Sequence, residues 1–145
     1  MPTRSAHTSW TGTLQEGSGR VELVSSALGG YDVSFPKRSA DDAAGTTSPE
    51  ELIAAAHSAC FSMALSGGIA RAGGVPKRLE VDAAVTLGPD PAGGFRITTI
   101  ALTVRGTVEN MDEAGFVAAA QDAKAGCPVS KALTGTDITL DAALA

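Results

Sequence analysis

The run from Ser48 to Leu65 carries a helix whose start is written in its own residues, and the rest of the chain must be arranged around it. Ser48 is a favourable N-cap, Pro49 suits the first helical position because it has no N–H to lose, and Glu51 stands where a capping box places an acid. Helix formers continue to Gly73-Gly74, with Pro76 beyond, so the pattern predicts about 24 residues, or about 36 Å at 1.5 Å per residue. Gly67-Gly68 offers a place for a kink or for close approach by another backbone. No charge occurs between Glu51 and Arg71. The helix therefore has no broad face suited to water and is expected to lie buried between other elements. Cys60 in its middle has a plain structural reading, because cysteine packs as a small hydrophobe.

A chain of 145 residues is the usual size of one domain, and residues 1–145 are read as one. Aromatic residues make up only 4%, so the core must be built from Ile, Leu, Val and close backbone contact. A net charge of −5 gives no basic patch, which argues against nucleic acid and against anionic membrane surfaces as partners. The first residues lack an apolar signal core, and no apolar run is read as approaching the ~18 residues that span a bilayer without polar interruption. A cytoplasmic protein is expected. In a reducing compartment two cysteines rarely form a permanent bridge, although closing a loop as long as Cys60 to Cys127 could stabilise the fold by about 4 kcal/mol. A bond between them is expected to be transient.

Along the chain, His7–Leu14 and Arg20–Ser25 read as a hairpin, Tyr31–Phe35 as a third short strand, and Pro36 to Thr47 as a loop. After the central helix, Arg78–Leu87 alternates apolar and polar residues, and Phe95 to Val108 continues as a long second strand with a phase change near Thr98-Thr99 that suits a bulge. Asn110 or Asp112 caps a helix from Glu113 to Lys124 with an apolar stripe of Phe116, Ala119, Ala120 and Ala123, and Gly126 ends it. Cys127-Pro128 opens a short helix, and Ile138 to Leu144 alternates as a final strand.

Cys127 at a helix start lies among unpaired N–H groups, a setting that favours a thiolate. Cys60 has no such help from its own helix, so a cation must come from elsewhere: Arg38 on the irregular loop is preferred, with Lys37 as runner-up. Glu50 is ten residues before Cys60, about 15 Å along a straight helix and about 80° around it, so it cannot touch that cysteine within one chain. A second copy related by a two-fold axis could supply it. The plainer reading of Glu50 is helix-start electrostatics, worth about 0.3–1 kcal/mol. Two histidines, His7 and His57, without a Cys-x-x-Cys pair or carboxylates at ligand spacing make a zinc site improbable. The glycine pairs lack a phosphate-loop pattern, and Ser58 and Ser62 lack the setting of a nucleophile elbow.

Thr47 to Leu65 together with Ala125-Gly126-Cys127-Pro128-Val129-Ser130-Lys131-Ala132-Leu133 closely resembles the osmotically inducible protein C (OsmC) branch of the OsmC/Ohr hydroperoxide-reductase family. The resemblance implies an α+β fold with antiparallel sheets around a long buried central helix, assembled as an intertwined homodimer with sites at the subunit interface. It implies thiol-dependent reduction of organic hydroperoxides to alcohols without metal, haem or flavin, with an external dithiol as reductant. By matching position, Cys60 corresponds to the peroxidatic thiol, Cys127 to the resolving thiol, and Arg38 and Glu50 to the pair that orients and polarises the site. An apolar wall of Ala, Leu, Phe61 and Met63 around Cys60 is expected to favour bulky organic peroxides. The competing readings are a redox-sensing or hydrophobic-ligand-binding module without turnover, and a structural protein with two inert cysteines.

Overall fold

The computed structural model describes residues 1–145, and its contacts divide them into two units, Met1–Pro49 and Glu50–Ala145. In the first unit the predicted hairpin and third strand form: β1 (His7–Thr11), β2 (Ser18–Glu22) and β3 (Gly30–Val33) make an antiparallel sheet in that order. Val21, paired with Thr8 and Tyr31, is its buried apolar residue. Phe35 does not extend the third strand, and the following residues are not all loop. Phe35–Arg38 is instead a one-turn helix, α1, whose start is capped by the Ser34 side chain accepting from the Lys37 N–H. Ser34 as cap with Pro36 in the first turn is the helix signal that the loop reading passed over.

The second unit opens with the long helix α2 (Pro49–Arg71), two residues from the predicted end. Gly73 adopts φ +89°, a left-handed conformation that costs a glycine little, and the Gly74 N–H donates to Ile69 C=O at 3.0 Å, closing the last turn. Next, β4 (Val75–Pro89) and β5 (Phe95–Glu109) form a 15-residue antiparallel pair. Thr86 pairs with Thr99 and Leu87 with Ile97, which leaves Thr98 as the extra residue at the predicted phase change. The alternation of β5 buries Ile100, Leu102 and Val104 on one face.

Asp112, not Asn110, caps α3 (Glu113–Gly126), its carboxylate accepting from the Gly115 N–H at 2.8 Å. Phe116 of α3 lies directly over Gly106 of β5, where a Cβ would come within 2.5 Å of the ring. The chain then turns through α4 (Pro128–Ala132) into β6 (Asp137–Leu144). The expected α+β class holds, with one difference: β6 pairs parallel to β5, so the second sheet is mixed. The two helices between these strands carry the chain back to the starting end of β5, as a crossover must, whereas a tight turn would have produced an antiparallel neighbour.

Phe61, Leu65 and Ile69 of α2 join Ile100, Leu102 and Val104 of β5 and Phe116, Ala119, Ala120 and Ala123 of α3 in one core. The rest of α2 departs from the expectation of burial all round. Its buried residues form a stripe completed by Glu50 and His57, while Ala55, Ala56, Ala59, Met63 and Ala70 on the other side are exposed. By length and composition, with a mean hydropathy of 1.5, this helix also meets the requirement for crossing a bilayer, contrary to the sequence reading. His57 and the serines of this stretch are polar, but no full charge stands between Glu51 and Arg71. The stripe shared with β5 and α3 is that of a helix packed on a sheet.

Candidate active site

Two helix-defined positions bring the cysteines together. Cys60 projects from the middle of α2, and Cys127 sits at the junction where α3 ends and α4 begins, its N–H donating to Ala123 C=O at 2.8 Å. Their Sγ atoms are 3.0 Å apart and share a hydrogen bond, with both residues present as free thiols. A disulfide needs about 2.05 Å between sulfurs, so bond formation requires a shift of about 1 Å rather than a rearrangement of the fold. Cys127 is fully buried and Cys60 half-buried, so an oxidant reaches Cys60 first.

The two thiols are electrostatically unequal. Burial alone pushes Cys127 up, but the Cys60 thiol, the Ser130 N–H and hydroxyl, and the Val129 N–H outweigh it and bring its pKa below the ordinary thiol value. The Cys127 side chain makes no capping hydrogen bond to α4, so these groups act on its anion as dipoles at the helix start. Burial pushes Cys60 up, and the neighbouring Cys127 adds to this; only the Val129 N–H opposes. The anion is thus favoured at Cys127 over Cys60.

The other candidates divide between the units. Arg38 ends α1 in the first unit, while Glu50 lies in the first turn of α2 in the second and is buried. The unbroken helix between Glu50 and Cys60 keeps them about 15 Å apart along its axis, as the sequence requires. Arg20 of the same unit donates from its guanidinium to the Asp32 carboxylate at 3.0 Å across β2 and β3. Around Cys60, the apolar wall is smaller than expected. Phe61 is wholly in the core and unavailable to a ligand, whereas Ala56, Met63 and Ala64, one turn from Cys60, remain at least partly exposed.

One pair went unread in the sequence. His57 Nε2 and Ser130 Oγ meet at 2.7 Å, both buried. The signal was the spacing: His57 is one turn before Cys60 and Ser130 one turn after Cys127, so each lies on its cysteine's side of the helix.

An α+β fold in which two helices appose a pair of thiols defines the class to which this architecture belongs. Residues 40–141 match the family model described as OsmC-like protein. The chain is 43% identical over 132 residues to Peroxiredoxin OsmC of Escherichia coli strain K12, covering 91% of this chain and 90% of the other. It is 32% identical over 138 residues to the organic hydroperoxide resistance protein of Xanthomonas axonopodis pv. citri, covering 94% and 92%. The crystal structure of an organic hydroperoxide resistance protein OsmC from Legionella pneumophila matches with a TM-score of 0.78 at 26% identity, over 99% of this chain and 98% of that one. The chain therefore belongs to the OsmC-like protein family.

Proposed function

We propose that this protein is a thiol peroxidase that reduces organic hydroperoxides to alcohols, using Cys60 as the attacking sulfur and Cys127 as the resolving one. The observation that carries this reading is the 3.0 Å approach of an accessible sulfur to a buried one. The names of its relatives, a peroxiredoxin and organic hydroperoxide resistance proteins, agree with it.

In the first step the Cys60 thiolate attacks the outer peroxide oxygen; an S–O bond forms, the O–O bond breaks, and the alkoxide takes a proton to leave as alcohol. In the second, Cys127 attacks the sulfenic sulfur of Cys60, the S–O bond breaks, and water leaves behind a Cys60–Cys127 disulfide. An external dithiol returns both to thiols by exchange. Because the charge of the isolated pair rests on Cys127, Cys60 needs a cation at the moment of attack, and we assign that role to Arg38, with Glu50 orienting it, in a homodimer that covers the exposed alanine and Met63 face of α2.

The arginine's main contribution is not ionisation. A tenfold gain in thiolate is offset about threefold by lost nucleophilicity, so most of its effect must come from holding the peroxide in line and stabilising the departing alkoxide. The apolar residues beside Cys60 favour an alkyl or aryl peroxide, since each Å² of apolar substrate area covered contributes about 25 cal/mol.

Steady-state consumption of cumene hydroperoxide with dithiol supplied provides the test. Cys60→Ser is expected to abolish turnover and Cys127→Ser to reduce it to what intermolecular resolution allows. Arg38→Ala is expected to keep a reactive thiol while losing most peroxide turnover. Sustained turnover by Cys60→Ser would overturn the assignment, and consumption of only one equivalent per chain by the parent would mark a sensor instead.

A further inference from the structure

We infer that His57 and Ser130 form a positioning pair for the Cys127 anion: the imidazole fixes the Ser130 hydroxyl, and that hydroxyl turns its proton to the Cys127 sulfur when it ionises. The inference rests on the reading of Cys127 as the resolving thiol and names the residues that ready it.

Hydroxyl valence sets the direction. Ser130 has a single O–H proton. Its oxygen is 2.7 Å from His57 Nε2, it sits in the first turn of the helix that Cys127 caps, and its hydroxyl favours the Cys127 anion. If the proton goes to sulfur, the Ser130 oxygen must accept from Nε2–H, which makes His57 the Nε2–H tautomer. The other ring nitrogen then carries a bare lone pair, and Nδ1 is indeed buried with no hydrogen-bond partner. The opposite assignment, with Ser130 donating to Nε2, would bury an unmatched Nδ1–H donor and give the sulfur nothing. Burial holds His57 below the usual imidazole range, which keeps the ring neutral and its tautomer fixed. A neutral donor suits the task, because an imidazolium here would form a static ion pair and weaken the sulfur as a nucleophile.

Neither residue gains or loses a proton over the cycle. In the resolving step the Cys127 sulfur forms the S–S bond, the S–O bond of the Cys60 sulfenic acid breaks, and the hydroxide accepts a proton to leave as water. Cys127 is oxidised and the sulfenic sulfur reduced. His57 and Ser130 act through Cys127, as positioning residues rather than as catalytic ones.

Titration of the single thiol in a Cys60→Ser background, followed by thiolate absorbance, tests this without any peroxide. Ser130→Ala in that background is expected to lower the thiolate fraction about tenfold at any pH below both midpoints, the effect of losing one hydrogen bond to an anion. Ser130→Thr, which keeps the hydroxyl, is expected to restore it to within about threefold. A second arm leaves α4 untouched: His57→Gln, which retains an N–H donor, should titrate near the parent, and His57→Leu should follow Ser130→Ala. In the two-cysteine protein, Ser130→Ala should accumulate a dimedone-trapped Cys60 sulfenic acid after one equivalent of cumene hydroperoxide, where the parent closes its disulfide. Superimposable titration curves for parent and Ser130→Ala, or for His57→Gln and His57→Leu, would overturn the inference while leaving the peroxidase reading in place. Failure of that reading would show separately, as no Cys60 adduct or disulfide in the two-cysteine parent.

Discussion

Replacing Cys127 with serine should make Cys60 more reactive toward a simple alkylating agent even as it disables the cycle. Two unit charges 3.0 Å apart repel by about 5 kcal/mol at an effective dielectric constant near 20. Only one sulfur of the pair can therefore be ionised through the neutral range. The dipoles at the start of α4 and the Ser130 hydroxyl favour the anion at Cys127, whereas burial and Cys127 itself push Cys60 up. Serine removes that competing anion and leaves a hydroxyl that can donate to Cys60. A hydrogen bond to a charged group is worth about 1.5–3 kcal/mol, so the Cys60 thiolate fraction should rise at least tenfold, reduced to a three- to tenfold gain in rate by the accompanying loss of nucleophilicity. The assay is the rate of iodoacetamide modification of the reduced protein at pH 7, with peptide mapping to assign it to Cys60. A rate at or below that of the parent would refute the idea that Cys127 holds the charge.

Three further outcomes follow from the packing and from His57. Gly106→Ala should destabilise the fold by about 1–3 kcal/mol in urea unfolding, because the new methyl meets the Phe116 ring and core side chains can yield only partly; unchanged stability would mean that α3 shifts freely on the sheet. Asp112→Ala should cost about 1 kcal/mol by leaving the Gly115 N–H without its cap, and Asn110→Ala should lack that loss of a cap. The lowered pKa of His57 means that the unfolded chain binds a proton the native state refuses, so the His57 contribution is full above the imidazole value of 6.5 and is lost as pH falls below it. Between pH 6.5 and 5 the parent should lose up to about 1.4 kcal/mol per pH unit that His57→Gln does not lose, measured by parallel urea titrations; identical acid slopes would contradict the buried neutral imidazole.

Local rules made much of this architecture legible. Ser48-Pro49 and Gly73-Gly74 bracket α2 because caps and stops act within one turn. The Thr98 bulge shows as a break in a period of two. The remaining features depend on longer-range packing or on signals too short to be periodic. The parallel pairing of β6 is set by where a crossover lands, which alternation in Ile138–Leu144 does not encode. One-turn α1 lacks a periodic pattern, although Ser34 and Pro36 announce it. Phe61 reads as a pocket wall because of its place beside Cys60 in sequence, yet adjacent residues on a helix point about 100° apart, and that angle sends Phe61 into the core. The cysteines themselves could be named, with roles implied by resemblance, but their 3.0 Å approach depends on how α3 lies against α2 and β5.

The central claim is that Cys60 and Cys127 close a bond within one chain in response to an organic peroxide. Fully reduced protein mixed with one equivalent of tert-butyl hydroperoxide, then acid-quenched and examined by intact and peptide mass spectrometry, tests it most directly. The expected product is a monomeric chain lighter by two hydrogen atoms, with a Cys60–Cys127 cross-linked peptide and one equivalent of tert-butanol. Unreacted thiols after the peroxide is spent, or stable Cys60 overoxidation with Cys127 still reduced, would contradict the account.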